Sequence, residues 1–169
     1  MRQIPQQTKF QEFTIRPFME QDRATILQFW LSLDQHVLTH LSSAKRYIKS
    51  NDYPGFVNKW LSQYQQNRHS LLLVGESEQV VSGFILAHIQ SQNWYKEKYT
   101  GLISACYVNS LYRRRGLASQ MLSEVKVWFG EEKVNYIDVT WDDGNLEAEK
   151  FWRSSGFEPS QVRANHKLT

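Results

Sequence analysis

Tyr107-Val108-Asn109-Ser110-Leu111-Tyr112-Arg113-Arg114-Arg115-Gly116-Leu117-Ala118 is the stretch on which the fold turns. An apolar run ends, a short polar turn follows, and Arg-x-x-Gly-x-Ala opens a helix. A glycine where a loop becomes a helix leaves main-chain N–H groups uncovered by any Cβ, at the positive end of the helix dipole. Such an arrangement binds anions, and three arginines stand beside it. Arginine triplets by themselves are usually solvated turns. Coupled to Gly116 and a helix start, this one reads as a phosphate cradle.

Working outward, the residues before it, Tyr99 to Val108, read as a strand. Leu102 to Val108 is nearly all apolar or small, so both faces should be covered. After it, Leu117, Met121, Leu122, Val125, Trp128 and Phe129 form one helical stripe from Gly116 to Phe129, with Gly130 as the expected C-cap. Val134 to Trp141 alternates: Ile137, Val139 and Trp141 fall on one side, Tyr136, Asp138 and Thr140 on the other. Asn145 is placed to cap a further helix, with Glu147 and Glu149 in its first turn. Ala148, Phe151 and Trp152 face inward, and Gly156 stops it. Phe157 to Leu168 is expected to return as one or two closing strands.

Upstream, Glu12 to Arg16 alternates as a strand that Pro17 ends. A helix is expected from about Glu20, with Ile26, Leu27, Trp30 and Leu31 on one stripe. Residues 34 to 68 continue as helix with a break near Asn51 to Gly55. Ser70 to Glu76 and Val80 to Gln90, separated by Ser77-Glu78-Gln79, are spaced as a hairpin. Trp94 to Lys98 reads as a loop tip. The order predicts a mixed, mostly antiparallel α/β sheet of six to seven strands with helices on both faces.

The 169 residues are most simply one domain, residues 1–169. A formal charge of +3 does not by itself imply nucleic acid, and suits a polyanionic ligand equally well. Cys106 is the single cysteine, which excludes an intramolecular disulfide and a thiol cluster for zinc. His36, His40, His69, His88 and His166 lack ligand spacing, so no metal is expected. No apolar core follows Met1, and no apolar run approaches the ~20 residues of a membrane span. The expected location is the cytoplasm, with no membrane partner. No Gly-x-Gly-x-x-Gly follows the first strand, and no Gly-Lys-Ser/Thr follows a loop.

The residues resemble a known family. Arg113-x-x-Gly116-x-Ala118 is similar to the acyl-CoA pyrophosphate loop of the GCN5-related N-acetyltransferases (GNAT). Asn145-x-x-Ala148-x-x-Phe151-Trp152-x-x-x-Gly156-Phe157 resembles that family's second signature. Thr14-Ile15-Arg16-Pro17 with Asp22, and the hairpin around Gly75 and Gly83, match its opening elements. The resemblance covers about residues 12 to 158.

It implies a single-step transfer of an acetyl group from acetyl-CoA to a primary amine of a small-molecule or peptide acceptor, without an acyl-enzyme. It further implies that Cys106, Tyr107 and Val108 pair with the pantetheine arm, and that Arg113, Arg114, Arg115, Gly116, Leu117, Ala118 and Ser119 form the phosphate loop. Asn145 and Trp152 would lie near the thioester. A homodimer is a habit of the family. Two departures stand out. Many relatives carry tyrosine where this chain has Trp152, and indole cannot protonate a thiolate. Tyr99 to Val108 also lacks the carboxylate that many relatives place there. The general acid and base are therefore open: Asp138 is the best carboxylate candidate, and Tyr107, Tyr112, His88, a water or an amine arriving neutral are the others. Cys106 has nothing nearby in sequence to lower its pKa and reads as structural. The competing readings are a non-catalytic acyl-CoA sensor of the same fold and, more remotely, nucleic-acid binding through the Tyr112 to Arg115 patch.

Overall fold

A computed structural model describes residues 13–40 and 49–161. Its elements are β1 (Phe13–Pro17), α1 (Arg23–His40), α2 (Tyr53–Gln66), β2 (Ser70–Ser77), β3 (Val80–Ser91), β4 (Tyr99–Val108), α3 (Leu117–Glu131), β5 (Ile137–Val139) and α4 (Leu146–Ser154). The five strands lie side by side in chain order. β1 to β4 pair antiparallel, and β5 pairs parallel with β4 after the crossover through α3. The turn between β2 and β3 is two residues long. Both of them, Glu78 and Gln79, have positive φ (51° and 66°), which matches the right-handed twist of a tight hairpin.

Side-chain alternation divides the core into two layers. Leu72, Val74, Phe84 and Leu86 point to the face covered by α1 and α2. Leu73, Ile85 and Ala87 point to the face covered by α3 and α4. On β4 the alternation inverts: Ile103 belongs to the α3/α4 layer, yet Ala105, two residues on, belongs to the α1/α2 layer. The cause is a bulge opposite Leu86/Ala87, where Ser104 is the residue added to the ladder. Gly75 on β2 lies under Leu117, the first residue of α3. A Cβ there would come within 2.4 Å of Leu117 Cδ1, so its absence seats the helix start on the sheet.

Several expectations need correction. Five strands are described, not six or seven. Phe157 to Gln161 forms no strand, and residues 162–169 lie outside the described residues, as do Glu12 and the beginning of the chain. The expected strand Val134 to Trp141 is reduced to Ile137–Val139, because β5 diverges from β4 after three residue pairs. Gly130 lies within α3 and does not cap it. The chain turns at Glu132, and Lys133 takes the left-handed conformation (φ 59°). α2 begins at Tyr53, inside the break expected near Asn51 to Gly55, with Pro54 in its first turn, where a missing N–H costs nothing; residues 41–48 of the helix expected over 34 to 68 lie outside the described residues.

One ion network ties the opening segment to the sheet. Arg16 donates to both oxygens of the buried Asp22 (2.6 and 2.8 Å) and to Glu76 on β2, and the Met19 N–H donates to Asp22 at 2.8 Å. The Arg16 guanidinium holds the Asp22 carboxyl below the ordinary carboxylate range, against the opposing effect of burial. The unfolded chain therefore takes up the proton first. The stabilisation is whole above about pH 4 and is lost as the pH falls through the folded value. Asp22→Asn should cost about 2 kcal/mol near pH 7 and much less near pH 3, measured by urea denaturation at both.

Candidate active site

The site is built where β4 runs out. The Asn109 N–H still reaches back to the Ser82 carbonyl of β3 (2.9 Å), and its side chain accepts from the Leu111 N–H (3.1 Å), closing a single 3-10 turn over Ser110–Tyr112. Arg113 is extended, Arg114 takes φ 63° and Gly116 takes φ 89°. The chain then enters α3, whose first i→i−4 bond runs from the Gln120 N–H to the Gly116 carbonyl (3.0 Å). The N–H groups of Leu117, Ala118 and Ser119 precede that bond and have no intrahelical acceptor. Gly116 caps the helix without a side chain, so nothing of its own covers them. Leu117 is buried and fixes the helix start, whereas Arg114, Arg115 and Gly116 are exposed. The Arg115 guanidinium carbon lies 5.8 Å from the Tyr112 ring centre.

Arg113 differs from its two neighbours. Its Nε donates to the Val108 carbonyl (3.0 Å), its Nη1 reaches Glu147 on α4 (3.3 Å), and its guanidinium lies over the Tyr107 ring. It holds the loop to the end of β4 and to α4, leaving Arg114 and Arg115 as the solvent-facing cations.

The second feature is an open strand edge. β4 and β5 pair only from Gly101↔Ile137 to Ile103↔Val139, so among the described residues Ser104 to Val108 has no partner strand on that side. Asn109 faces β3, and the Val108 carbonyl faces away from it, toward Arg113. By alternation the main-chain groups of Val108 and Cys106 line the open edge. The wedge opens directly beside the Gly116 helix start.

Side chains sort to the two faces of β4. Tyr107 packs on Phe29 (ring centres 5.0 Å) in the α1/α2 layer. Cys106 and Val108 pack toward α3/α4. Burial pushes the Cys106 thiol up to about 12, which keeps it protonated and inert, in agreement with its structural reading. Asn145 is buried and caps α4, its Oδ1 accepting from the Ala148 N–H (3.1 Å). Asn145→Ala should cost about 1 kcal/mol through the lost cap, read from the thermal midpoint. Trp152 is 5 % exposed and packs on Phe151 and Phe157 (4.8 and 5.4 Å), a core position behind the wedge. Asp138 is exposed on β5, on the side opposite Ile137 and Val139, as its alternation implied. Burial pushes the Asp142 carboxyl in the loop after β5 upward, with the charge of Lys49 opposing.

A polar cluster on the α1/α2 face went largely unread. His88 on β3 has its Nδ1 3.0 Å from the Ser104 hydroxyl and 3.4 Å from the Tyr64 hydroxyl of α2, with the Gln90 amide 3.1 Å from Nε2. His88 was one of several candidates; Ser104 and Tyr64 were not among them. The available signal was Ser104 itself, a hydroxyl interrupting the apolar run of β4. Among the described residues no group of His, Cys, Asp and Glu is arranged to hold a metal.

The model of the Acetyltransferase (GNAT) family matches residues 18–157. The chain belongs to this family. No curated protein matched the sequence. Among solved structures, this GNAT chain is similar to a transcriptional regulator from Bacillus halodurans C-125 (17 % identity, 93 % of this chain and 100 % of that one, TM-score 0.71). It is also similar to the aminoglycoside antibiotic 6'-N-acetyltransferase AAC(6')-IG from Acinetobacter haemolyticus (18 % identity, 92 % and 98 %, TM-score 0.69). A third is AAC(6')-Iy, solved with the bisubstrate analogue CoA-S-monomethyl-acetylneamine (17 % identity, 94 % and 99 %, TM-score 0.67). At these identities the likeness is one of fold, and one GNAT fold carries both an antibiotic-modifying and a regulatory description.

Proposed function

We propose that the protein is an acetyl-CoA-dependent N-acetyltransferase that moves the acetyl group directly to a primary amine. The observation that carries this is the Gly116 helix start. Three main-chain donors at the head of α3, two solvent-facing arginines and an unpaired strand edge meet at one end of the sheet. A pyrophosphate joined to an extended amide-bearing arm fits that combination, the phosphates on the helix start and the arm along β4 as an added strand.

Residues Arg114 to Ser119 would hold the diphosphate, with Arg113 setting the loop in place. The main chain of Cys106 and Val108 would hold the arm, whereas that of Tyr107, also expected to pair with it, faces β3. The thioester supplies an already activated acyl group. The chain's own tasks are to orient the amine, to offer N–H groups of the open edge to the carbonyl oxygen, and to move a proton. Asn145 and Trp152 support α4 behind the thioester. Asp138 and Tyr107 border the wedge as acid–base candidates, Asp138 in solvent and Tyr107 beneath Arg113.

The acceptor class favoured is a small cationic amine, on the strength of two structural relatives named as aminoglycoside acetyltransferases. A location in the cytoplasm follows from use of acetyl-CoA. Among the described residues no helix is long and apolar enough to cross a membrane. The test is calorimetry with CoA, followed by acetyl-CoA turnover against a panel of aminoglycosides, polyamines, amino acids and peptides, with free thiol as the readout. Amine-dependent thiol release supports the transferase. Binding without turnover on the whole panel supports the sensor, which Trp152 and the acid-free β4 favour. No binding refutes both.

A further inference from the structure

The donor half of the site leaves open what removes the proton from the acceptor amine. An amine of ordinary basicity reaches the enzyme as ammonium and attacks only after losing a proton. The expected place for a base is beside the wedge on the face opposite α3 and α4, since the head of α3 receives the phosphates. Two residues there are already joined. Ser104 is the bulge residue of β4 and the first residue past the last β4/β5 pair, so it stands at the mouth of the wedge. It lies two residues, about 6–7 Å along the strand, from the Cys106 main chain that lines the open edge. Its hydroxyl is 3.0 Å from His88 Nδ1.

We propose that Ser104 and His88 form the proton exit of the transfer, Ser104 contacting the acceptor nitrogen and His88 receiving the proton through it. This rests on the acetyltransferase reading. The proton leaves the acceptor nitrogen for Ser104 Oγ as the Ser104 hydroxyl proton passes to His88 Nδ1. The freed nitrogen pair then forms the C–N bond; as the C–S bond breaks, the nitrogen's second proton passes to the departing thiolate, directly or through water, and His88 afterwards releases its proton to solvent. No outside oxidant or reductant is needed.

The surroundings of His88 suit this part. Nδ1 must carry the lone pair, so Nε2 carries hydrogen. The Gln90 amide beside Nε2 presents its oxygen to that N–H on a simple half-turn of the side chain. Tyr64 faces Nδ1 from α2, and burial pushes its phenol pKa up, so it stays neutral and acts as a second hydroxyl partner. Burial also lowers the His88 pKa, keeping the imidazole a free base near neutrality. One carboxylate, Asp138, shares the cross-strand row, with Leu102 between them. Two strand spacings separate it from His88, about 9–10 Å, and it is exposed, so its influence is weak.

The test takes the amine with the fastest turnover in the panel and measures kcat/KM from about pH 5.5 to about 9.5. His88→Gln should lower it by about a hundredfold near neutral pH and remove the acid limb, with CoA affinity unchanged. The deficit should shrink at high pH, where the amine arrives neutral, and added imidazole should restore part of the rate. Ser104→Ala should fall in the same direction, which keeps the idea testable if His88→Gln does not fold. An acid limb retained in His88→Gln, or one removed instead by Asp138→Asn, overturns the proposal. Wild-type protein that binds no CoA, or turns over no amine, brings down the acetyltransferase reading itself.

Discussion

Gly116→Asp lowers the affinity for coenzyme A by at least about tenfold, some 1.4 kcal/mol, in a protein that remains folded. Two effects add. Gly116 sits at φ 89°, a conformation that costs a side-chain-bearing residue roughly 1 kcal/mol. The carboxylate would also stand at the mouth of the amide cradle, repelling phosphate and competing for the N–H groups of Leu117, Ala118 and Ser119. Gly116→Ala separates the two. A Cβ at this position meets nothing closer than Gln120 Nε2 at 4.0 Å, so alanine introduces only the backbone strain. Calorimetry should therefore rank wild type above alanine and alanine above aspartate. Equal affinity for folded Gly116→Asp and wild type would place the diphosphate elsewhere and remove the main support for the proposed activity.

Phe84→Ala should destabilise the fold by about 3–5 kcal/mol, a large share of a domain's net stability. Phe84 has no exposure at all. It lies on the third of the five strands, its ring 5.8 Å from Trp30 of α1 and 6.4 Å from Tyr107 of β4. Truncation removes the hydrophobic transfer energy of the ring and leaves a cavity that three packed elements cannot close. The measurement is the urea midpoint, with the slope unchanged if only stability is altered. Tyr136→Ala, at a position 63 % exposed, should stay within about 0.5 kcal/mol. A midpoint for Phe84→Ala close to that of Tyr136→Ala would mean that the α1/α2 layer is not packed as described.

Much of this was legible because it depends on short-range rules. The boundaries of β4, the β2–β3 hairpin, the Asn145 cap and the glycine opening of α3 all follow from side-chain period and local φ preference, although the hairpin turn is two residues, Glu78 and Gln79, and not the three expected, since Ser77 still pairs with Val80. The phosphate-loop residues are consecutive in the chain, so their proximity required no folding argument. The structural reading of Cys106 rests on a similar reason: an apolar strand without a neighbouring cation raises a thiol pKa wherever it packs.

What escaped the sequence depended on neighbours far along the chain. Val134 to Trp141 has the alternation of a full strand, but a strand requires a paired edge, and β5 parts from β4 after Val139. Arg113, Arg114 and Arg115 look equivalent in sequence; Arg113 is set apart only because Val108 and Glu147 come within its reach. The Ser104 bulge and its bond to His88 join residues sixteen positions apart, and nothing in either local pattern announces the contact. The amino-acid order alone determined the layering of the sheet, the glycine-led helix start and the family, since periodicity and φ restraint act within a few residues. Only the tertiary structure decided where the sheet opens, which arginines face solvent and which polar groups meet at the opening, because pairing and burial depend on surfaces that exist only once distant segments have packed.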